Sequence, residues 1–407
     1  MKITAKYSTA KPILFLGAAI LIALLVLCLL PHFIKNNANL PPPQPDVSIP
    51  SAFNGDSAGL KDTEIVPTLE TPASPGKNVI WCASFLSSWK AMEQNLAGEP
   101  IALDGASEVA GLLNSAADPS PAIPVAALYT VTGGNKNGLM DQIQTDFQPR
   151  FPGKQPPKFP DIEPNSFVAY SYLEASIKFP LPYNQNEKPF VFTDGSGKQT
   201  EIKSFGIPVE NRNTFYALRA QPRILFRGES VENGAQFTYA EFVIDLCSNS
   251  SPNQIIVSKM SAETNLAAAV AHVENEIRST PFTEVRGLSP DDSLLVPDFN
   301  WFISHHFSAF EGKTFANGKL KGQRIDVAQQ DISFRLDKNG AGLQAESELN
   351  ATSAAQDYCL DGPFLIYMKK RGAQMPYFVM WVDNAELLSP WHPATGETQN
   401  PPDHPPK

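Results

Sequence analysis

The chain has 407 residues, with 32 Lys and Arg against 42 Asp and Glu, which gives a formal net charge of −10. Binding the phosphates of a nucleic acid requires a basic face, and the sequence has no cluster of Lys and Arg to supply one. The composition therefore excludes nucleic acid as an expected partner, and the diffuse acidity is typical of a solvated surface.

The first element in the chain is strongly apolar. Residues 12–30 read PILFLGAAILIALLVLCLL and contain no charged side chain. A helix of this length spans the hydrocarbon layer of a membrane, which is about 30 Å thick. A cleaved signal peptide is the alternative, but its apolar region is shorter and ends at a small-residue site, which this segment lacks. The sequence predicts an uncleaved transmembrane anchor over residues 12–34.

The charges on either side of the anchor predict its orientation. Lys2, Lys6 and Lys11 precede the span, whereas only Lys35 closely follows it. Because positively charged flanks stay in the cytoplasm, residues 1–11 should form a cytoplasmic tail. The predicted localisation is a single-pass membrane protein of type II, with the C-terminal domain extracytoplasmic.

Two polar stretches flank the folded part. Residues 35–77 are rich in Pro, Ser and Thr and contain too few apolar residues to form a core, which predicts a Pro-rich linker. Residues 389–407 predict a disordered Pro-rich tail. The folded domain should therefore cover residues 78–388.

Within that domain the pattern mixes helices and strands. Apolar residues at helical spacing predict helices in the later part of 79–97, at 104–113 and at 264–278. Runs rich in β-branched and aromatic residues predict strands at 167–172, 189–193, 237–246, 332–336, 364–368 and 377–382. The last two are apolar at nearly every position and are joined by a polar, Gly-containing connection, so they should form a hairpin buried on both faces. The predicted class is α+β.

No set of residues indicates catalysis. The chain has no G-x-S-x-G, no Gly-rich phosphate loop and no Cys spacing typical of zinc, so we expect no enzyme, no cofactor and no metal. His305 and His306 are adjacent on a strand and should point to opposite faces. His272 lies one turn before Glu276, which predicts a surface pair on a helix.

Cysteine usage leaves one alternative open. Cys28 lies in the anchor, and Cys82, Cys247 and Cys359 lie in the domain. Three cysteines cannot all pair, so the domain has either one disulfide or only free buried thiols.

The order of segments in the last third resembles the serpin family. Residues 295–299 (LVPDF) resemble a serpin "V/L-P-x-F" strand, and 332–340 (ISFRLDKNG) resemble the strand that leads to the reactive-loop hinge. The closing segments GPFLIY and YFVMWV resemble the two final serpin strands. Weaker similarities lie at NVIWC (78–82) and FVAYSY (167–172).

This resemblance implies a serpin-like fold of antiparallel sheets with a reduced helical part, since residues 82–165 are fewer than the helical part of a full serpin. A central antiparallel sheet should place 332–336 beside 167–172, directly or across one gap. The strands at 364–368 and 377–382 should pair in a separate, smaller sheet.

The resemblance also implies a reactive loop at about residues 343–361. Its hinge in inhibitory serpins is a run of small residues, because the cleaved loop inserts as a new strand into the central sheet. Here the hinge contains Leu343, Glu346 and Glu348, and the two glutamates share one face of any strand. Burying an unpaired carboxylate costs several kcal/mol. Counting from the hinge places the scissile bond near Ala354 and Ala355.

Two functional hypotheses follow. The first is a membrane-anchored, extracytoplasmic, serpin-like domain that acts as a non-inhibitory binding or structural module. The alternative is an inhibitor or bait for serine or cysteine proteases. The expected partners are the membrane through residues 12–34 and a protease or other protein through the 343–361 loop.

Overall fold

A computed structural model of the protein describes residues 51–134, 138–159, 167–208, 216–233, 236–339 and 355–392. Within these ranges no helix has both the length and the apolar character needed to cross a bilayer. The predicted anchor, the hinge residues Leu343, Glu346 and Glu348, and Ala354 lie outside them.

The described residues form five α-helices and twenty strands. The helices, in chain order, are α1 (Ala83–Met92), α2 (Ser107–Ser115), α3 (Leu139–Arg150), α4 (Tyr216–Ala220) and α5 (Leu266–Ser279). The strands are β1 (Phe53–Asp56), β2 (Thr63–Val66), β3 (Asn78–Cys82), β4 (Leu128–Gly134), β5 (Phe167–Ser176), β6 (Asn184–Gln185), β7 (Phe190–Thr193), β8 (Gln199–Ile202), β9 (Ser204–Ile207), β10 (Arg223–Arg227), β11 (Ser230–Asn233), β12 (Gln236–Tyr239), β13 (Phe242–Asp245), β14 (Asn253–Lys259), β15 (Ser293–Pro297), β16 (Phe299–His306), β17 (Ile325–Leu336), β18 (Ala355–Cys359), β19 (Phe364–Lys370) and β20 (Phe378–Val382).

Five strands form a central sheet in the order β1-β16-β17-β5-β4. The predicted neighbours are confirmed, because β17 pairs directly with β5. The expectation of an antiparallel sheet is wrong, since β17 runs parallel to β5 and β1 runs parallel to β16. These partners are distant in sequence, so no hairpin turn fixes their relative direction.

Two further sheets pack with the central sheet around one main core. The seven-stranded sheet has the order β10-β13-β14-β19-β20-β3-β2, and the six-stranded sheet has the order β11-β12-β18-β15-β9-β6. β19 and β20 form the predicted hairpin, and every residue of β20 is buried. As expected, β19 and β20 lie outside the central sheet. Their sheet was expected to be smaller than the central sheet, but it has seven strands against five.

Residues 51–77, which the sequence analysis assigned to the linker, contain two strands. β1 pairs with the edge of the central sheet along β16, and β2 pairs with the edge of the seven-stranded sheet along β3. The Glu386 carboxylate fixes the segment between them, because it accepts hydrogen bonds from the backbone N–H of Lys61 at 2.7 Å and of Asp62 at 3.0 Å. Backbone hydrogen bonds to β16 and β3 order this segment. Such pairing does not require apolar side chains, so the polar sequence did not predict these strands.

Helix α5 illustrates how local sequence fixes an element. The Asn265 side chain accepts the backbone N–H of Ala268 at 2.8 Å, which caps the first turn. Its buried positions are Leu266, Ala269, Val270 and Val273, at the spacing of one helical face. The prediction of a helix at 264–278 is confirmed within two residues.

Candidate functional site

The boundary between β5 and β17 is called the seam below. β17 precedes the predicted loop, so the resemblance implies that an inserted strand would enter the central sheet here. The two strands are paired in parallel from Phe167 and Ile325 to Ser176 and Arg335, with one irregularity after Ile325. Residues 327–334 of β17 and 167–173 of β5 are all buried. Both faces of the seam therefore lie inside the protein.

A polar network holds the outer face of the seam. The Tyr170 hydroxyl of β5 donates to Asp331 Oδ2 of β17 at 3.0 Å. Asp331 Oδ1 accepts from Ser304 Oγ at 2.7 Å and from Gln329 Nε2 at 2.8 Å. Burial raises the pKa of Asp331, and these three donors lower it in part. Because three neighbours donate to one buried carboxylate, the network joins β5, β17 and β16.

The inner face of the seam rests on α1. Gln330 Nε2 donates to the backbone oxygen of Cys82 at 3.0 Å and to Ser84 Oγ at 2.8 Å. Gln330 is fully buried, as is Ser171 on β5. This face is packed as tightly as the outer one, so a strand entering the seam has no solvated side.

Helix α3 and the segment after it cover the outer face. Phe151 lies 4.5 Å from Tyr172 between ring centroids, and Phe159 lies 5.3 Å from Tyr170. Lys154 Nζ lies 3.4 Å from Glu174 Oε1 of β5 and donates to Ser333 Oγ of β17 at 3.4 Å. One lysine therefore contacts both strands of the seam.

A strand that the sequence did not predict, β18, lies in the last part of the predicted loop. Ala355 is the first residue of β18, which pairs in parallel with both β12 and β15. Tyr358 is fully buried. The described structure therefore assigns residues 355–359 of the predicted 343–361 loop to a sheet, and a scissile bond at Ala354 would adjoin that strand.

A cavity of about 1170 Å³ lies beside the end of β20 and the start of α5. Trp381 and Asp383 line it, and they are two residues apart on extended backbone, so their side chains point to the same side. Trp381 is 9% exposed and Asp383 is 8% exposed. Leu266 and Ala269 of α5 form part of the apolar wall.

Gly195 closes the end of the cavity beside Asp383. A Cβ atom at position 195 would lie 2.7 Å from Asp383 Oδ1, so a larger residue would displace the carboxylate. Burial raises the pKa of Asp383, and the nearby charge of Asp194 raises it further. Hydrogen bonds from the Trp381 side chain and the Gly76 backbone lower it in part, and no described Lys or Arg contributes.

The other charged residues of the cavity are mostly acidic. Glu241 and Glu263 line it, and the one lining lysine in the described structure, Lys259, forms an ion pair with Asp361 at 2.5 Å. Sequence reasoning missed this site. The alternation of Trp381 and Asp383 at the end of an apolar strand was the available signal, but an apolar strand gives no sign of the elements that enclose it.

The histidines have separate environments. His305 Nδ1 lies 2.8 Å from Ser57 Oγ, whereas His306 Nδ1 lies 2.8 Å from Glu311 Oε1. Burial lowers the pKa of His305 to about 4. As the strand geometry predicted, the two rings have different partners.

The predicted pair of His272 and Glu276 is wrong. His272 Nδ1 lies 2.9 Å from Glu263 Oε1, on the loop that precedes α5. A loop folding back over the first turns of the helix offered a nearer carboxylate than the helix itself. Cys82, Cys247 and Cys359 are free thiols.

The strand arrangement decides the fold. The strand before the predicted loop lies directly beside β5, and the two closing strands form a hairpin in another sheet, as the resemblance implied. The chain has a serpin-like fold. No protein-family model and no curated protein sequence matches the chain.

Several solved serpin structures are similar to the chain. They include the thermophilic serpin tengpin in its native state, at 9% identity and a TM-score of 0.49, over 77% of this chain and 90% of that one. Thyroxine-binding globulin in complex with thyroxine has 11% identity and a TM-score of 0.47, over 76% and 94%. Mouse protein-Z-dependent protease inhibitor has 12% identity and a TM-score of 0.47, over 75% and 91%. At these identities the likeness concerns the fold alone.

Proposed function

We propose that the protein is a membrane-anchored, extracytoplasmic binding module with a serpin-like fold that does not trap proteases. The observation that carries the proposal is that both faces of the seam are buried. A strand inserted there would have to bury side chains on each side.

The hinge is poorly suited to that insertion. Glu346 and Glu348 are two residues apart, so both would face the same side of the new strand. On the outer side they would meet Asp331, a buried carboxylate whose present donors include Tyr170 across the seam. On the inner side they would meet the packed interface with α1 that holds Gln330. Either side requires desolvating carboxylates. Arg335 of β17 already pairs with Asp337, and Lys154 over the outer face already pairs with Glu174. Desolvation of the two glutamates therefore opposes insertion by several kcal/mol per group.

The cavity beside Trp381 supplies the binding site of the module. Its volume of about 1170 Å³ is sufficient for a small organic ligand, and its wall combines apolar side chains with a few polar groups. Ligand sites in proteins commonly have this composition, so the cavity supports a binding role without any contribution from the loop.

The anchor and its orientation complete the proposal. The apolar segment 12–30 and the lysines before it support a type II topology, with the serpin-like domain outside the cytoplasm. The cavity would then face the extracytoplasmic medium together with the rest of the domain.

The proposal is tested by exposing the protein to a panel of serine and cysteine proteases. We expect cleavage without any complex that survives denaturing electrophoresis, because a trapped complex requires loop insertion. A protease–protein adduct that resists boiling in detergent would contradict the proposal and support the inhibitor alternative.

A further inference from the structure

We infer that the cavity between β20 and α5 binds an organic cation with an apolar body, and that Asp383 and Trp381 recognise its charge. The inference rests on the proposed binding function and adds the class of ligand to it.

The wall of the cavity is acidic. Glu241, Glu263 and Asp383 line the cavity, and the positive charge of Lys259 is already matched by Asp361. The wall is therefore negative overall, which favours a cationic ligand over a neutral or anionic one.

The start of α5 also borders the cavity. A helix N-terminus favours anions when its amide groups are free. Here the backbone N–H of Ala267 donates to Leu69 O at 2.9 Å, and that of Ala268 donates to the Asn265 side chain at 2.8 Å. These two amides have partners within the protein, so neither is a free donor for an anion in the cavity.

Asp383 and Trp381 lie side by side in the wall of the cavity. Asp383 is 92% buried, and among the described residues no ion pair neutralises it. An ammonium group beside it would supply the missing counter-charge. The neighbouring indole adds a cation–π contact, since a cation within about 6 Å of the ring face is attracted to it. The apolar side chains of Leu266 and Ala269 would contact the rest of the ligand.

The test uses three probes with the same apolar body and different charges: 4-phenylbutylamine, 4-phenylbutanol and 4-phenylbutyrate. Their affinities for the full chain in lipid nanodiscs are measured by isothermal titration calorimetry, and binding to empty nanodiscs is subtracted. We expect the amine to bind at least tenfold more tightly than the alcohol, and the carboxylate to bind most weakly.

Variants assign that preference to residues. Asp383→Asn keeps the shape of the side chain and should reduce amine affinity about tenfold, to that of the alcohol, without changing alcohol affinity. Trp381→Phe should reduce amine affinity severalfold. Glu284→Gln, at an exposed acid outside the cavity wall, is the matched control and should leave all three affinities unchanged.

The outcomes distinguish the claim that the ligand is a cation from the claim that the cavity is a binding site. Equal binding of all three probes, or a preference for the carboxylate, would overturn the cation assignment while leaving the cavity as a binding site. No binding of any probe above the empty nanodiscs would overturn both. If Asp383→Asn lowers the melting temperature by more than a few degrees, Glu241→Gln serves as the second variant. An unchanged preference of Glu241→Gln for the amine would contradict the claim that the acidic side chains of the wall cause that preference.

Discussion

Replacing Tyr170 with Phe should weaken the seam by a predictable amount. The change removes the hydroxyl that donates to Asp331 across β5 and β17, while Ser304 and Gln329 still donate to the same carboxylate. A hydrogen bond to a charged group contributes about 1.5–3 kcal/mol to stability. At about 2 °C per kcal/mol, the lower end of the range for large domains, the melting temperature should fall by roughly 3–6 °C.

Tyr129 provides a matched control for that experiment. It belongs to the same aromatic cluster, with its ring centroid 6.2 Å from that of Tyr170, but its buried hydroxyl has no partner among the described residues. Tyr129→Phe should therefore be neutral or slightly stabilising. Chemical and thermal denaturation compare the two variants. Adding Asp331→Asn alone and combined with Tyr170→Phe completes a double-mutant cycle, which gives the coupling energy between Tyr170 and Asp331. If Tyr170→Phe costs no more than Tyr129→Phe, the network does not hold the seam.

Three further predictions concern other parts of the chain. Burial raises the pKa of Asp298 from 3.8 to about 6, so its contribution to stability is present below pH 3.8 and is lost as the pH rises to 6. Asp298→Asn should therefore stabilise the protein by about 1–3 kcal/mol at pH 7 and change its stability little at pH 4. Denaturant titration at the two pH values measures this, and equal effects at both would refute the assignment. A chain that begins at Asn78 lacks β1 and β2, so two sheet edges lose their partners. Compared with a chain that begins at Ser51, it should be less stable by at least about 3 kcal/mol. Equal melting temperatures of the two chains would show that residues 51–77 are dispensable. The full-length protein should sediment with membranes and retain an N-terminus near Met1, and a soluble product that begins between residues 36 and 78 would contradict the anchor.

The sequence predicted those elements whose burial is visible in their own residues. The strands that became β5, β19 and β20 are apolar at nearly every position, and α5 has a regular apolar face, so each was found close to its observed bounds. The order of these elements resembles that of serpin strands, and this resemblance predicted which strands are neighbours.

Elements that depend on distant partners were missed. Strand β1 reads Phe-Asn-Gly-Asp, which has no strand pattern of its own and is ordered by pairing with β16. Strand direction in the central sheet also depends on crossovers rather than hairpins, which is why its parallel pairs were not foreseen. The cavity needs elements from six parts of the chain to come together, and single-residue patterns do not contain that information.

If the protein does not trap proteases, its loop should not insert into the seam after cleavage. To test it, residues 349–354 of the full chain are replaced by the six-residue recognition sequence of a viral protease that accepts alanine after its cut, so that cleavage falls before Ala355. At pH 7.5, insertion with both hinge glutamates neutral would cost about 4 kcal/mol for each, from 1.36 kcal/mol per pH unit above a pKa of about 4.3.

The measurement is the melting temperature before and after cleavage, in this chain and in the same chain with Glu346→Ala and Glu348→Ala. The cleaved chain with its native hinge should melt within about 2 °C of the intact one at pH 7.5, and any gain should be larger in the alanine variant. A rise of tens of degrees on cleavage of the native hinge would show that the strand enters the seam despite its charges, and would contradict the account.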